Sequence, residues 1–223
     1  MTVDQLLAAF RSDLHDEVTP YFWSDADLVR YLNSAVQEAC ERAKLIEDRF
    51  TPVVCSIPLV PGQATYDLHA SVLEVKRMTV RGQVIDETSV EDLDCESPGW
   101  ESRTGKPRFF VFIPATGAKA PCMRVVPTPT VADTLSLIVY RGPLKQLSED
   151  RQSDRPEIPA RFHEDLRHWV YRCAYLKSDA DSFDKVKALE YEALFISVFG
   201  ERPDANVQRK RSDRAPPLVR SSW

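Results

Sequence analysis

The sequence predicts an α+β fold: a helical layer in which N- and C-terminal helices pack together, an inserted antiparallel β sandwich or barrel, and an extended C-terminal arm. Three observations carry this reading. Apolar residues recur every three or four positions up to about residue 48 and again from about residue 158. From Pro52 to Tyr140 they alternate every second position, punctuated by Pro and Gly turn signals. Beyond Gly200 the chain turns polar, basic and Pro-containing. The expected boundaries are residues 1–50 for the first helices, 51–143 for the β module, 144–200 for a linker and the last helices, and 201–223 for the arm. Neither helical segment makes a domain alone, so the two pairs are expected to form one layer.

The elements follow from local chemistry. Thr2 and Gln5 form a capping box ahead of Leu6, Leu7, Phe10 and Leu14, in a helix expected to end near Glu17 before Pro20. Ser24 caps a second helix, and Asp25 and Asp27 suit the positive end of its dipole. Its stripe is Leu28, Leu32, Ala35, Ala39, Ala43 and Ile46, which predicts a helix to about Asp48. Val53–Leu59 reads as one edge strand containing Pro58. Pro61-Gly62 turns the chain into a short strand, Ala64–Leu68. Leu73 and Val75 fall out of phase with Met78 and Val80, which predicts a bulge near Lys76–Arg77. Ser89–Leu93 reads as one helical turn and Glu96–Lys106 as a loop. Phe109–Ile113 reads as a strand buried on both faces. Met123 and Val125, then Leu135, Leu137 and Val139, mark two further strands.

A charged connection covers 143–158. Ile158-Pro159 then opens a helix with Phe162, Leu166, Trp169, Val170 and Cys173 inward. Asp181 or Ser182 is expected to cap the last helix, with Phe183, Val186, Leu189, Ala193 and Ile196 facing one side. Leu194, Phe195, Val198 and Phe199 add apolar surface elsewhere on the same helix. A helix end apolar nearly all round needs enclosure on several sides, and a neighbouring subunit is a natural source. These four residues are therefore candidate subunit-interface residues. Gly200 is the expected stop.

Charge divides the chain at the same place. The net charge is −5, but residues 201–223 hold six basic and three acidic residues. The tail is thus +3 and residues 1–200 carry −8. A free-standing nucleic-acid binder usually shows a basic excess, which this body lacks. The N-terminus lacks the basic opening and apolar stretch of a signal peptide, and no segment approaches ~20 consecutive apolar residues. No membrane is therefore expected. The five cysteines, Cys40, Cys55, Cys95, Cys122 and Cys173, are odd in number, widely spaced and without a C-x-x-C, which fits reduced thiols.

Catalytic, cofactor and metal motifs are not apparent. Phosphate-loop, dinucleotide and nucleophile-elbow signatures do not occur. His163 and His168 lie five apart and share a helical face poorly, which argues against zinc. Asp179, Asp181, Asp184 and Glu190 have loose calcium-loop spacing, but Asp184 stands where the loop needs glycine. Helix capping explains Asp181 and Asp184 more simply. Phe109, Phe110 and Phe112 beside Lys106 and Arg108 could mimic a base-stacking strand, but a buried core strand explains them better.

Five phrases in order resemble the phage head-to-tail adaptors, the group that includes tail tubular (gatekeeper) adaptors. They are DLVRYLNSAVQEACERAKLI at 27–46, IPLVPGQATYDLHASVLEVKRM at 57–78, TGKPRFFVF at 104–112, MRVVPTPTVADTLSLIVYRGPLKQL at 123–147 and PEIPARFHEDLRHWVYRCAYLKSDADSFDKVKALEYEALF at 156–195. The G-Q-x-x-Y turn, the P-T-P after a strand and the E-I-P-x-x-[FY]-H helix start are the telling parts. The resemblance covers about residues 24–200. It implies a non-enzymatic virion protein at the neck, made in the host cytoplasm and needing no cofactor. It implies a ring, commonly of twelve copies, beneath the portal protein. The ring would extend the DNA channel, pass genomic DNA without sequence-specific binding, and receive tail nozzle or tail tube proteins. It also implies that the C-terminal segment reaches the portal. Arg209, Lys210, Arg211, Arg214, Arg220 and Trp223 are the candidate portal-binding residues of that arm. The rival expectations are a soluble nucleic-acid-binding module using the basic tail and the Phe-rich strand, and a cell-wall hydrolase using Glu157, Glu164 or His163.

Overall fold

The computed structural model describes residues 1–116, 118–177 and 183–204. In chain order the elements are α1 (Val3–Asp13), α2 (Asp25–Ala43), β1 (Ile46–Asp48), α3 (Pro52–Cys55), β2 (Ser56–Leu59), β3 (Thr65–Asp67), β4 (Val72–Val80) and β5 (Gln83–Glu87). They continue with α4 (Val90–Glu96), β6 (Thr104–Gly105), β7 (Phe109–Ile113), β8 (Cys122–Val126), β9 (Thr128–Pro129), β10 (Asp133–Arg141), α5 (Arg167–Tyr175) and α6 (Lys185–Phe199). The class is α+β. One compact unit holds Met1–Ile46 with Arg141–Arg202, and the other holds Glu47–Tyr140.

In the helical unit, Thr2 and Gln5 make the expected capping box on α1. Val3, Leu6, Leu7 and Phe10 are buried. The helix stops at Asp13, short of Glu17, because Leu14 caps it and His15 takes a positive φ. α2 is capped by Ser24 as expected but ends at Ala43 rather than near Asp48. Lys44 is left-handed and its N–H bonds the Cys40 carbonyl, which closes the helix and frees Ile46–Asp48 to become a strand. The connection after β10 is tied down rather than loose. The Asn33 amide donates to the Leu147 carbonyl (2.9 Å) and accepts the Leu147 N–H (2.8 Å). Val3 N–H bonds Asp154 O at 2.9 Å.

The helix expected from Ile158-Pro159 starts only at Arg167, after a 3-10 turn at Ala160–Phe162. Pro159 is extended, and the His163 ring bonds the Ile158 carbonyl (2.9 Å), which holds this entry segment in place. α5 then bridges its neighbours. Trp169 Nε1 donates to Ser34 Oγ on α2 at 3.0 Å. Tyr171 packs edge-on against Phe10 of α1, and its hydroxyl donates to Asp13 at 2.5 Å.

The other unit is a curled, mostly antiparallel sheet, a half-barrel, in the order β1-β10-β4-β5-β7-β8-β3, with β2 also paired to β10. β5 and β7 run parallel, a departure from the all-antiparallel expectation. The expected strand Val53–Leu59 splits. Pro52 opens the helical turn α3, and the strand begins at Ser56. Asp48 imposes the break, because its Oδ1 accepts the N–H of Phe50 (3.0 Å) and of Thr51 (3.1 Å). On β4, Val75 and Met78 are both buried with Lys76 and Arg77 exposed between them, which is the predicted change of phase. β7 serves two cores. Phe110 joins Met78, Met123, Leu135 and Leu137, while Val111 packs with Leu93, Trp100 and Val126. α4 spans seven residues rather than one turn, and the expected loop after it carries the buried Trp100.

Two of the telling phrases meet in space. Tyr66 Oη accepts the Val60 N–H (3.0 Å) and donates to Gln63 O (2.8 Å), and Gly62 N–H reaches Pro129 O at 2.8 Å. Gly62, with φ +83, permits the turn that the Tyr66 hydroxyl locks.

Candidate functional site

α6 is the element with the least conventional surface. Asp184 caps it, accepting the N–H of Val186 (3.0 Å) and Lys187 (3.1 Å). The expected caps Asp181 and Ser182 lie outside the described residues, and the helix starts after both. The inward face is Ala188, Phe195 and Phe199. Phe195 lies 5.0 Å from the Trp169 ring and 4.5 Å from Phe199. Tyr191 stacks parallel on Tyr175 at 5.9 Å. The Arg42 guanidinium sits 5.0 Å from Trp169 and 5.1 Å from Phe195, and its Nε donates to Glu38 (3.0 Å).

The stripe expected to face inward is therefore mostly outside. Phe183, Val186, Leu189 and Ala193 are exposed, while the large rings fill the space against α5. Phe195 and Phe199 are consumed by their own chain. Leu194 (46% exposed) and Val198 (39%) remain at the surface, as do Val186 (67%) and Leu189 (56%). The apolar surface thus exceeds what the helical unit covers.

The chain leaves α6 under control. Gly200 takes φ +83, and its N–H bonds Ile196 O at 2.8 Å. Arg42 donates to the Gly200 carbonyl (3.2 Å), and Arg202 pairs with Glu41 (3.0 Å) and Glu38 (3.4 Å) on α2. This anchor was not foreseen; its signal was Glu38 and Glu41 on one face of α2. Arg209, Lys210, Arg211, Arg214, Arg220 and Trp223 lie outside the described residues.

The loop between α1 and α2 was also missed. Buried Arg11 donates to Asp16 (2.9 Å), the Trp23 carbonyl (3.1 Å) and Asp25 (2.5 Å). Asp16 in turn accepts the N–H of Phe22 (2.7 Å) and Trp23 (3.1 Å). This network fixes a loop that exposes Val18, Tyr21 and Phe22.

The family model of the SU10 adaptor protein matches residues 1–221. The chain belongs to the SU10 adaptor protein family. The match includes the first helix and the basic tail, which the phrase resemblance left out. No curated protein matches the chain. Membership makes the protein a phage structural adaptor, a component of the virion.

Two of the groups proposed for chemistry, Glu157 and His163, have structural work in this adaptor. Glu157 accepts from Arg141 (2.6 Å) and from the N–H of Leu144 (3.0 Å) and Lys145 (3.2 Å). Buried His163 donates from Nε2 to Ile158 O and accepts at Nδ1 from the Met1 ammonium (2.8 Å). Glu164 is exposed. Burial, followed by the Arg167 charge, pushes the His168 imidazole down. Of the calcium spacing, Asp184 is spent as a cap, Glu190 is exposed on α6, and Asp179 and Asp181 lie outside the described residues. Phe110 is buried, Phe112 half-buried and Phe109 exposed, so the three rings of the aromatic strand do not share one open stacking face. Among the described residues no helix is long and apolar enough to cross a membrane.

Proposed function

We propose that this adaptor works as a head-to-tail connector: a ring beneath the portal that extends the DNA conduit and offers the surface on which tail nozzle or tail tube proteins assemble. The outer face of α6 carries the reading. Four aliphatic residues stand exposed on a helix whose aromatic side is already satisfied, and such a patch marks an association surface. Leu194 and Val198 are the proposed subunit contacts. The −8 charge of residues 1–200 suits a conduit that repels phosphates. The arm is the proposed portal ligand, with Arg209, Lys210 and Arg211 making charge-assisted contacts and Trp223 an anchor. Arg202, paired to α2, sets where that arm departs.

The test is to mix the full-length protein with the portal of its phage and image the product. A closed ring on the portal, twelve copies in the arrangement that the resemblance implies, is expected. Failure to bind portal, or tight sequence-dependent DNA binding that survives moderate salt, overturns the reading.

A further inference from the structure

We propose that the α6 surface at Leu194 and Val198 of one adaptor copy docks on the loop 15–23 of the next. This rests on the ring reading above and names the other half of its contact. A ring contact is heterologous, so every copy must carry two different, complementary patches. One patch is the end of α6. The second has to be found on the same unit.

The exposed large apolar side chains of the helical unit point to one place. Apart from Leu144, they belong to α6 with the connection before it, or to Val18, Tyr21 and Phe22. Val18 is 80% exposed, yet its loop is not slack. Asp16 holds the N–H of Phe22 and Trp23, Arg11 spans Asp16 and Asp25, and the Arg11 guanidinium lies 3.5 Å over the Tyr21 ring. A rigid apolar knob loses little entropy on docking. The apolar parts of the two patches also match in charge: beyond Asp16 and Glu17, residues 18–24 (VTPYFWS) contain no charged side chain, nor do residues 193–200 (ALFISVFG), in a chain that is 28% charged.

Phe22 and the end of α6 do not meet within one copy. Lys177, just after α5, lies 5.8 Å from the Phe22 ring, which places the Phe22 end of the loop near the C-terminal end of α5, while Asp13 before the loop pairs with Arg167 and Tyr171. Phe195 meets Trp169, near the N-terminal end of α5. α5 therefore separates them by roughly the 1.5 Å rise per residue over its length. Side chains held apart on one copy suit contact between successive copies.

The test uses full-length protein and portal ring, counting adaptor copies per portal by mass. Val18→Lys and Leu194→Asp should each raise the concentration needed to fill the ring by at least about tenfold, because each buries an unpaired charge. Both side chains are exposed in the free chain, and circular dichroism checks that each variant is folded. If V18K fails that check, Val18→Ser should give a smaller loss in the same direction. Mixing V18K with L194D should restore filling, because alternating copies leave half the contacts parental and pair Lys with Asp in the rest. If L194D is impaired while V18K fills like the parent, the loop is not the partner, although the ring reading stands. If the mixture does not recover, the pairing is wrong. If the parent protein never decorates the portal, the ring reading itself falls.

Discussion

Replacing Asp16 by Ala tests whether the loop between α1 and α2 is held by charge rather than by packing. The substitution removes three contacts: the Arg11 pair at 2.9 Å and the Phe22 and Trp23 N–H bonds at 2.7 and 3.1 Å. Both charged side chains are under a tenth exposed. Breaking a buried pair costs about 3–5 kcal/mol when the surviving charge is stranded. Arg11 keeps Asp25 at 2.5 Å and the Trp23 carbonyl at 3.1 Å, so the low end applies, about 3 kcal/mol. Asp16→Asn keeps one acceptor oxygen and should lose only about 1–1.5 kcal/mol. For a chain of this size, 3 kcal/mol lowers the unfolding midpoint by about 6–12 °C. Thermal unfolding followed by circular dichroism measures this, and hydrogen exchange at the Phe22 and Trp23 amides reads the loop itself. A D16A loss under about 1 kcal/mol, or a D16N loss equal to that of D16A, refutes the reasoning.

Phe195→Ala empties the site between Trp169 and Phe199 and should cost about 3–5 kcal/mol in urea unfolding; a loss below about 1.5 kcal/mol contradicts the burial assigned to it. Burial pushes the Cys40 thiol up to about 12 and, with the Asp13 carboxylate, raises the Tyr171 phenol. Unfolding returns both to ordinary values, so the unfolded chain ionises first. Their contribution is complete below pH of about 9 and disappears as pH climbs towards 12; a thermal midpoint flat across that window would falsify this assignment. Ending the chain at Asp204 preserves the Arg202 pairs and should leave the unfolding midpoint unchanged while abolishing portal attachment, measured by co-sedimentation.

Several helix ends were readable because they are local. Thr2 with Gln5, Ser24 and Gly200 all act within a few residues of themselves, although the cap of α6 is Asp184 rather than Asp181 or Ser182. Strand phase was equally legible, down to the shift at Lys76–Arg77. What escaped depends on groups distant in sequence or on a single side chain competing with regular backbone. Asp48 turned a continuous strand into β1, a helical turn and β2. Lys44 ended α2 early through a left-handed backbone that nothing in its apolar stripe announces. The candidate site was half legible. Excess apolar surface on α6 was plain, but Arg202 pairs with residues some 161 positions away.

The misassigned face of α6 shows why such helices resist reading. When one side is apolar, periodicity names the buried side. When both sides are apolar, the choice falls to shape, and α5 offers Trp169, Tyr171 and Tyr175 as partners. Aromatic rings stack there with more contact area than Val186 or Leu189 could give. Burying Phe195 and Phe199 then leaves the aliphatic residues outside, where water contact costs roughly 25 cal/mol per Å² of apolar surface. The ambiguity in the sequence therefore has a physical source: both faces of α6 are apolar, and the larger aromatic contact decides which one the fold buries.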